Sequence, residues 1–144
     1  MSRLATSFVL GYHGCDKDVA ERLISRKDSI QKSNQDFDWL GPGAYFWEGD
    51  PHRALEWAEQ QVSRGRYESA AVIGAVIDLG NCLDLSNREN VKVFKGAHSE
   101  FITHQQTAGL PVPENGNAPG DPHGDRMLRR LDCAVFQHLH KGID

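Results

Sequence analysis

The stretch Trp39-Leu40-Gly41-Pro42-Gly43-Ala44-Tyr45-Phe46-Trp47-Glu48 decides how the chain is read. Two glycines and a proline punctuate the backbone just before three consecutive aromatic residues. A turn is therefore expected to open straight into a strand over Tyr45, Phe46 and Trp47. Alternation along a strand sends Tyr45 and Trp47 to one face and Phe46 to the other. One face then belongs to a core. The other forms a flat aromatic wall beside glycines, where a ring-shaped ligand can come close to the backbone.

Upstream of this stretch, Ser7 to Gly14 reads as a strand, because Phe8, Val9, Leu10 and Tyr12 are strong strand formers. His13-Gly14 is its outlet. Asp16 or Asp18 is placed to cap a helix, and Val19, Ala20, Leu23 and Ile24 recur at helical spacing to about Ser25 or Arg26. Gln31 to Asp38 is polar and reads as a loop.

Downstream, Asp50 is an N-cap and Pro51 suits the first helical position. The helix that follows carries Ala54, Leu55, Trp57, Ala58, Gln61 and Val62 and stops at Gly65. Ala70 to Leu79 is apolar on both faces, so the pattern places this strand at the centre of a sheet. Cys82 to Leu85 reads as a short continuation. Ser86 is expected to cap a helix over Arg88 to Phe94, and His98 to Gln106 reads as a separate helical piece. Leu110 to Gly124, rich in Pro, Gly, Asn and Asp, reads as a long loop. Asp125 is expected to cap a last helix bearing Met127, Leu128, Leu131, Ala134, Val135 and Leu139. There is no internal repeat, and residues 1–144 read as a single domain.

The composition narrows the function classes. A chain of 144 residues buries roughly two-thirds of its unfolded surface, enough for a core without staples. The formal charge of −4 gives no general attraction to nucleic acid or anionic membrane. Cys15, Cys82 and Cys133 are few, odd in number and far apart, which argues against a disulfide framework or a structural zinc site. No apolar run reaches membrane-span length and no signal peptide is evident, so the cytoplasm is the expected compartment.

Gly11-Tyr12-His13-Gly14 and Gly41-Pro42-Gly43-Ala44-Tyr45-Phe46 can now be taken together. About thirty residues separate them, and a helix follows the second directly. This pair resembles the ADP-ribosyltransferase superfamily, in its diphtheria-toxin/poly(ADP-ribose)-polymerase-like branch. Bacterial and phage members that carry Trp-Leu-Gly-x-Gly-x-Tyr-Phe-Trp-Glu are the most similar. The motif likeness covers residues 7 to about 62, and residues 70–85 fit more loosely.

The resemblance implies an α/β (α+β) fold, a split β-sandwich of mostly antiparallel strands with peripheral helices and the nucleotide in the cleft between the sheets. It implies NAD as substrate. His13 would donate a hydrogen bond to the ribose next to the nicotinamide. Gly14 would offer its backbone amide and carbonyl to the carboxamide, and Tyr45 would stack on the nicotinamide ring. Tyr12, Gly43 and Trp47 would complete the NAD-binding surface. These roles are chemically sound. An amide needs a donor and an acceptor close together, a pyridinium gains from an aromatic face, and an oxocarbenium-like state gains from positioning and electrostatics. The family also uses a carboxylate, usually Glu, on a later strand. No Glu lies on a recognisable strand after the last helix, so Glu100, Glu48 and Asp132 are the candidates, in that order.

Each residue also has an ordinary reading. Tyr45 alone is a packed strand residue, and His13 alone is a partly buried histidine. Their joint placement favours ligand binding. Trp39, Trp47 and Trp57 read as packing residues, with Trp47 able to line the rim. Glu100 reads first as a solvated surface carboxylate, and the scattered histidines as surface residues rather than a metal site. Cys15 lacks an orienting partner for a thiol nucleophile. Arg126, Arg129 and Arg130 suit a solvated helix face, or contact with pyrophosphate or nucleic acid.

The expected function is transfer of ADP-ribose from NAD⁺ to a protein or nucleic-acid acceptor, with release of nicotinamide. The rival readings are a non-catalytic NAD- or ADP-ribose-binding module and, further off, a metal-dependent hydrolase built on the histidines.

Overall fold

The computed structural model describes residues 7–120, 124 and 126–143, which fall into two compact units interleaved in sequence. The first takes the described residues up to 31 together with 44–82, and the second takes 32–43 and 83 onward. The class is mixed α+β with antiparallel strand pairing.

In the first unit, β1 (Phe8–Asp16) is the middle strand of a three-stranded sheet of order β2-β1-β3. β2 is only Trp47–Glu48, and β3 is Ala70–Asp78. Both neighbours run antiparallel to β1: Tyr12 faces Trp47 and Gly11 faces Glu48 on one side, while Leu10 faces Val76 and Tyr12 faces Gly74 on the other. The apolar strand Ala70–Asp78 is thus an edge and not the centre. Its apolar character comes from helix packing on the sheet rather than from strands on both sides.

α1 (Lys17–Ile24) leaves β1 directly. Asp16 holds the N-cap position but makes no capping bond. Its two carboxylate oxygens accept instead from the amides of Glu68 and Ser69, tying the entry of β3 to the end of β1. α2 (Pro51–Ser63) follows β2, with the Asp50 carboxylate accepting from the Arg53 amide and Pro51 at its start. It lays Ala54, Ala58 and Gln61, spaced at i, i+4 and i+7, against the sheet. The two alanines let it lie close to the sheet at Gly14.

In the second unit, α3 (Arg88–Ala108) is one helix of 21 residues where two shorter ones are expected. Gly96 does not interrupt it, because Phe94, Ala97, Phe101 and Ile102 recur on one face and pack with Leu131, Val135 and Leu139. Asn87, not Ser86, is its N-cap and accepts from the Glu89 amide. Cys82–Leu85 forms no strand; the Asp84 carboxylate there is held by the Ser86 hydroxyl and amide.

The last helix, α4 (Arg130–Ile143), begins later than expected, and Asp125 lies outside the described residues. Leu128–Arg129 forms a strand, β5, paired with β4 (Asn115–Gly116) inside the expected loop. From β4, the Asn115 side-chain oxygen accepts from the amides of Leu131 and Asp132. A remote residue therefore caps α4. Among the described residues, no helix is long and apolar enough to cross a membrane.

Candidate functional site

The residues Tyr12, His13, Gly14, Tyr45 and Trp47 come together in the first unit, where β1 passes the end of β2. Just beyond both ends of β1, odd-numbered residues carry the bonds across to β3: Lys17 donates to Ser69 and Leu79 donates to Ser7. Narrow and wide pairs alternate in an antiparallel ladder. The amide and carbonyl groups of Leu10, Tyr12 and Gly14 therefore point the other way, toward β2. β2 and its flank meet Leu10, whose carbonyl accepts from Gly49, and Tyr12, opposite Trp47. β2 ends there, so strand pairing does not extend to Gly14.

Tyr45 and Phe46, expected within the strand, precede it as irregular backbone. The reason is a side chain. The His13 ring occupies the place of the next ladder bond, with Nδ1 2.8 Å from the Tyr45 carbonyl oxygen. A carbonyl only accepts, so Nδ1 carries the proton and, in the neutral ring, Nε2 is an acceptor. The Phe46 ring lies 5.4 Å from the His13 ring. Phe46 and Ile77 fill the space where a Gly11 side chain would stand. Sequence reasoning took Phe46 only as the alternate-face residue; its part in fixing His13 was signalled by the glycine at position 11, two residues before the histidine.

On the other face, Tyr12 lies against Gly74, where an added Cβ would meet the ring at 3.1 Å. Gly14 is buried, and the Ala54 carbonyl stands where its side chain would be. Trp47 packs on Trp57 at 6.1 Å, and Trp57 meets Tyr67 edge-on at 5.9 Å. These half-buried rings join β2, α2 and the turn before β3.

The two glycines of the second motif fall in the other unit, since the boundary runs between Gly43 and Ala44. Gly41 has φ 81° and lies against the Phe136 side chain, so both backbone and packing demand glycine. Gly43 exchanges bonds with Ser33: its carbonyl accepts from the Ser33 amide and its amide donates to Ser33 Oγ. No heavy atom lies within 4 Å of where its side chain would be.

The carboxylate candidates separate. Glu100 lies on α3 in the second unit, 3.5 Å from His138 Nε2. Asp132, on α4, accepts from Asn115 and lies 3.5 Å from the Arg129 guanidinium. Glu48 is in the first unit. Opposite Gly11, it shares the sheet face of His13 and is exposed. Of the basic cluster, Arg130 pairs with Asp36, and Arg129 lies 5.0 Å over the Trp39 ring. Cys15 is only 3% exposed, and burial, then the Asp16 charge, pushes its thiol pKa up; this is the reverse of an activated nucleophile. Cavities of about 330 Å³ beside Asn115, Asn117 and Arg126, and about 490 Å³ along Ser99, Glu100 and His104, lie in the second unit and include no residue of the two motifs.

No protein-family model matches the chain. No solved structure matches it. The chain is similar to an uncharacterized protein of the archaeon Methanocaldococcus jannaschii, with 33% identity over 87 residues. That match takes in 58% of this chain and 40% of the relative, so the chain spans less than half the length of the curated relative it matches.

Proposed function

We propose that the protein binds NAD⁺ at the β1–β2 edge and transfers its ADP-ribose group to a macromolecular acceptor, protein or nucleic acid, releasing nicotinamide. The observation that carries this reading is the junction of His13, Gly14 and Tyr45. The ladder leaves the Gly14 amide and carbonyl pointing past the end of β2, a donor and an acceptor on one residue, as a carboxamide requires. The His13 bond to the Tyr45 carbonyl fixes Tyr45 beside that edge.

In this reading Tyr45 stacks on the nicotinamide ring. With Nδ1 taken by the Tyr45 carbonyl, Nε2 is the His13 atom that meets a ribose hydroxyl. The glycosidic bond breaks with its electron pair leaving on nicotinamide nitrogen, and an acceptor nucleophile then bonds to the anomeric carbon. Glu48 is the candidate carboxylate best placed to stabilise the intervening cation, because it shares His13's unit and face.

A second reading, an NAD- or ADP-ribose-binding module without catalysis, draws on the partners that Glu100 and Asp132 already have. Nicotinamide release from NAD⁺, with and without candidate acceptors, separates the two. The wild-type chain is expected to release nicotinamide. Tyr45→Ala and His13→Ala are expected to lower the rate by about 10²-fold or more, since ring positioning and ribose orientation act on the same step. Glu48→Gln is expected to lower the rate with little change in NAD⁺ affinity. Binding without release in the wild type would favour the module; neither binding nor release would remove both readings.

A further inference from the structure

β3 is an edge strand with none of the usual devices that blunt an edge. Over nine residues, Ala70-Ala71-Val72-Ile73-Gly74-Ala75-Val76-Ile77-Asp78, it has no proline, no lysine and one charge, at its end. Its odd-numbered residues bond to β1, so the amides and carbonyls of Val72, Gly74 and Val76 point outward, and no described residue bonds to them. Val76 on this strand, and Phe8 and Leu10 on the neighbouring β1, share one sheet face and are 70%, 63% and 55% exposed. Each is a strand residue whose usual place is against other apolar groups.

We infer that the outer edge of β3 pairs antiparallel with β3 of a second copy of this chain, across a two-fold axis at Gly74. The strand sequence favours a copy of itself. With Gly74 facing Gly74, all nine residues pair, and Val72 of each chain faces Val76 of the other. Ile73 faces Ala75, and Ala71 faces Ile77. The outward-pointing residues Val72, Gly74 and Val76 form the bonded pairs, as the ladder parity requires. Asp78 faces Ala70, so no like charges are opposed. A register shifted by two residues shortens the pairing to seven, either 72–78 with Asp78 against Val72 or 70–76 with Asp78 outside the pairing. The result is one continuous six-stranded sheet, an isologous contact that removes both exposed β3 edges at once. The exposed Val76 of each copy then lies next to the partner strand instead of water.

Val76 is the residue to change, because its side chain and its amide both face outward in the single chain. Val76→Pro removes only an outward donor, which an edge strand tolerates. Val76→Lys places a charge opposite Val72 of the other copy. Sedimentation equilibrium of the full chain is expected to give a dimer for the wild type and monomers for both variants, with unchanged circular dichroism. Amide exchange adds a readout that misfolding does not mimic. In the wild type the amides of Val72 and Gly74 are expected to be protected. In Val76→Lys they should exchange at least tenfold faster, while those of Ile73, Ala75 and Ile77, bonded to β1, stay protected. A wild type that is monomeric at high micromolar concentration overturns the inference. So does a dimer that survives both substitutions.

Discussion

At Gly14 packing demands the missing side chain; at Gly43 nothing does. An alanine at 14 drives its methyl into the Ala54 carbonyl, and α2 must lift from the sheet to admit it. Gly14→Ala is expected to cost about 1–3 kcal/mol, the range for overpacking, or more if α2 cannot shift. Gly43→Ala meets open space and is expected to change stability by less than about 0.5 kcal/mol. Urea denaturation checks both figures. Equal stability of the two variants would contradict the packing account of Gly14. The Tyr-His-Gly motif thus serves the fold and the proposed site together: its histidine builds the end of β2, and its glycine seats a helix.

At the level of elements, what the sequence made legible was local. Asp50-Pro51 starts α2, and the spacing of Val19, Ala20 and Leu23 marks α1, because the signals lie within a turn of the elements they set. Elements set by distant partners were read less well. β3 is apolar enough for a central strand, yet strand order depends on pairing that no single segment encodes. The pieces expected over Arg88–Phe94 and His98–Gln106 are joined in one helix by the packing of Phe94, Ala97 and Phe101 on α4. The start of α4 was expected at Asp125, too early, since its cap is Asn115, fifteen residues before the helix begins. Asn115→Ala removes a half-buried side chain that accepts from two helix amides and donates to Asp132. It is expected to cost about 1–3 kcal/mol, measured as a loss in the urea midpoint with the slope unchanged. Asp50→Ala, an exposed local cap, should cost about 1 kcal/mol and so less than Asn115→Ala at the upper end of that range.

In the whole molecule, the chain crosses between its two units at 31–32, 43–44 and 82–83. The second crossing cuts the aromatic motif: the Gly41–Gly43 turn belongs to one unit and Tyr45–Trp47 to the other. The sequence did not disclose this division, because Gly-Pro-Gly before three aromatics reads as one continuous turn and strand. The proposed site residues His13, Gly14, Tyr45 and Glu48 all lie in the first unit, and its sheet carries the dimer edge inferred for β3. The proposed chemistry depends first on NAD⁺ occupying that unit. An isothermal titration of NAD⁺ into the wild-type chain and into Tyr45→Ala tests this most directly. The account predicts one saturable site per chain in the wild type, with binding weakened at least tenfold in Tyr45→Ala. No saturable heat at millimolar NAD⁺, or equal affinity in the two proteins, would contradict it.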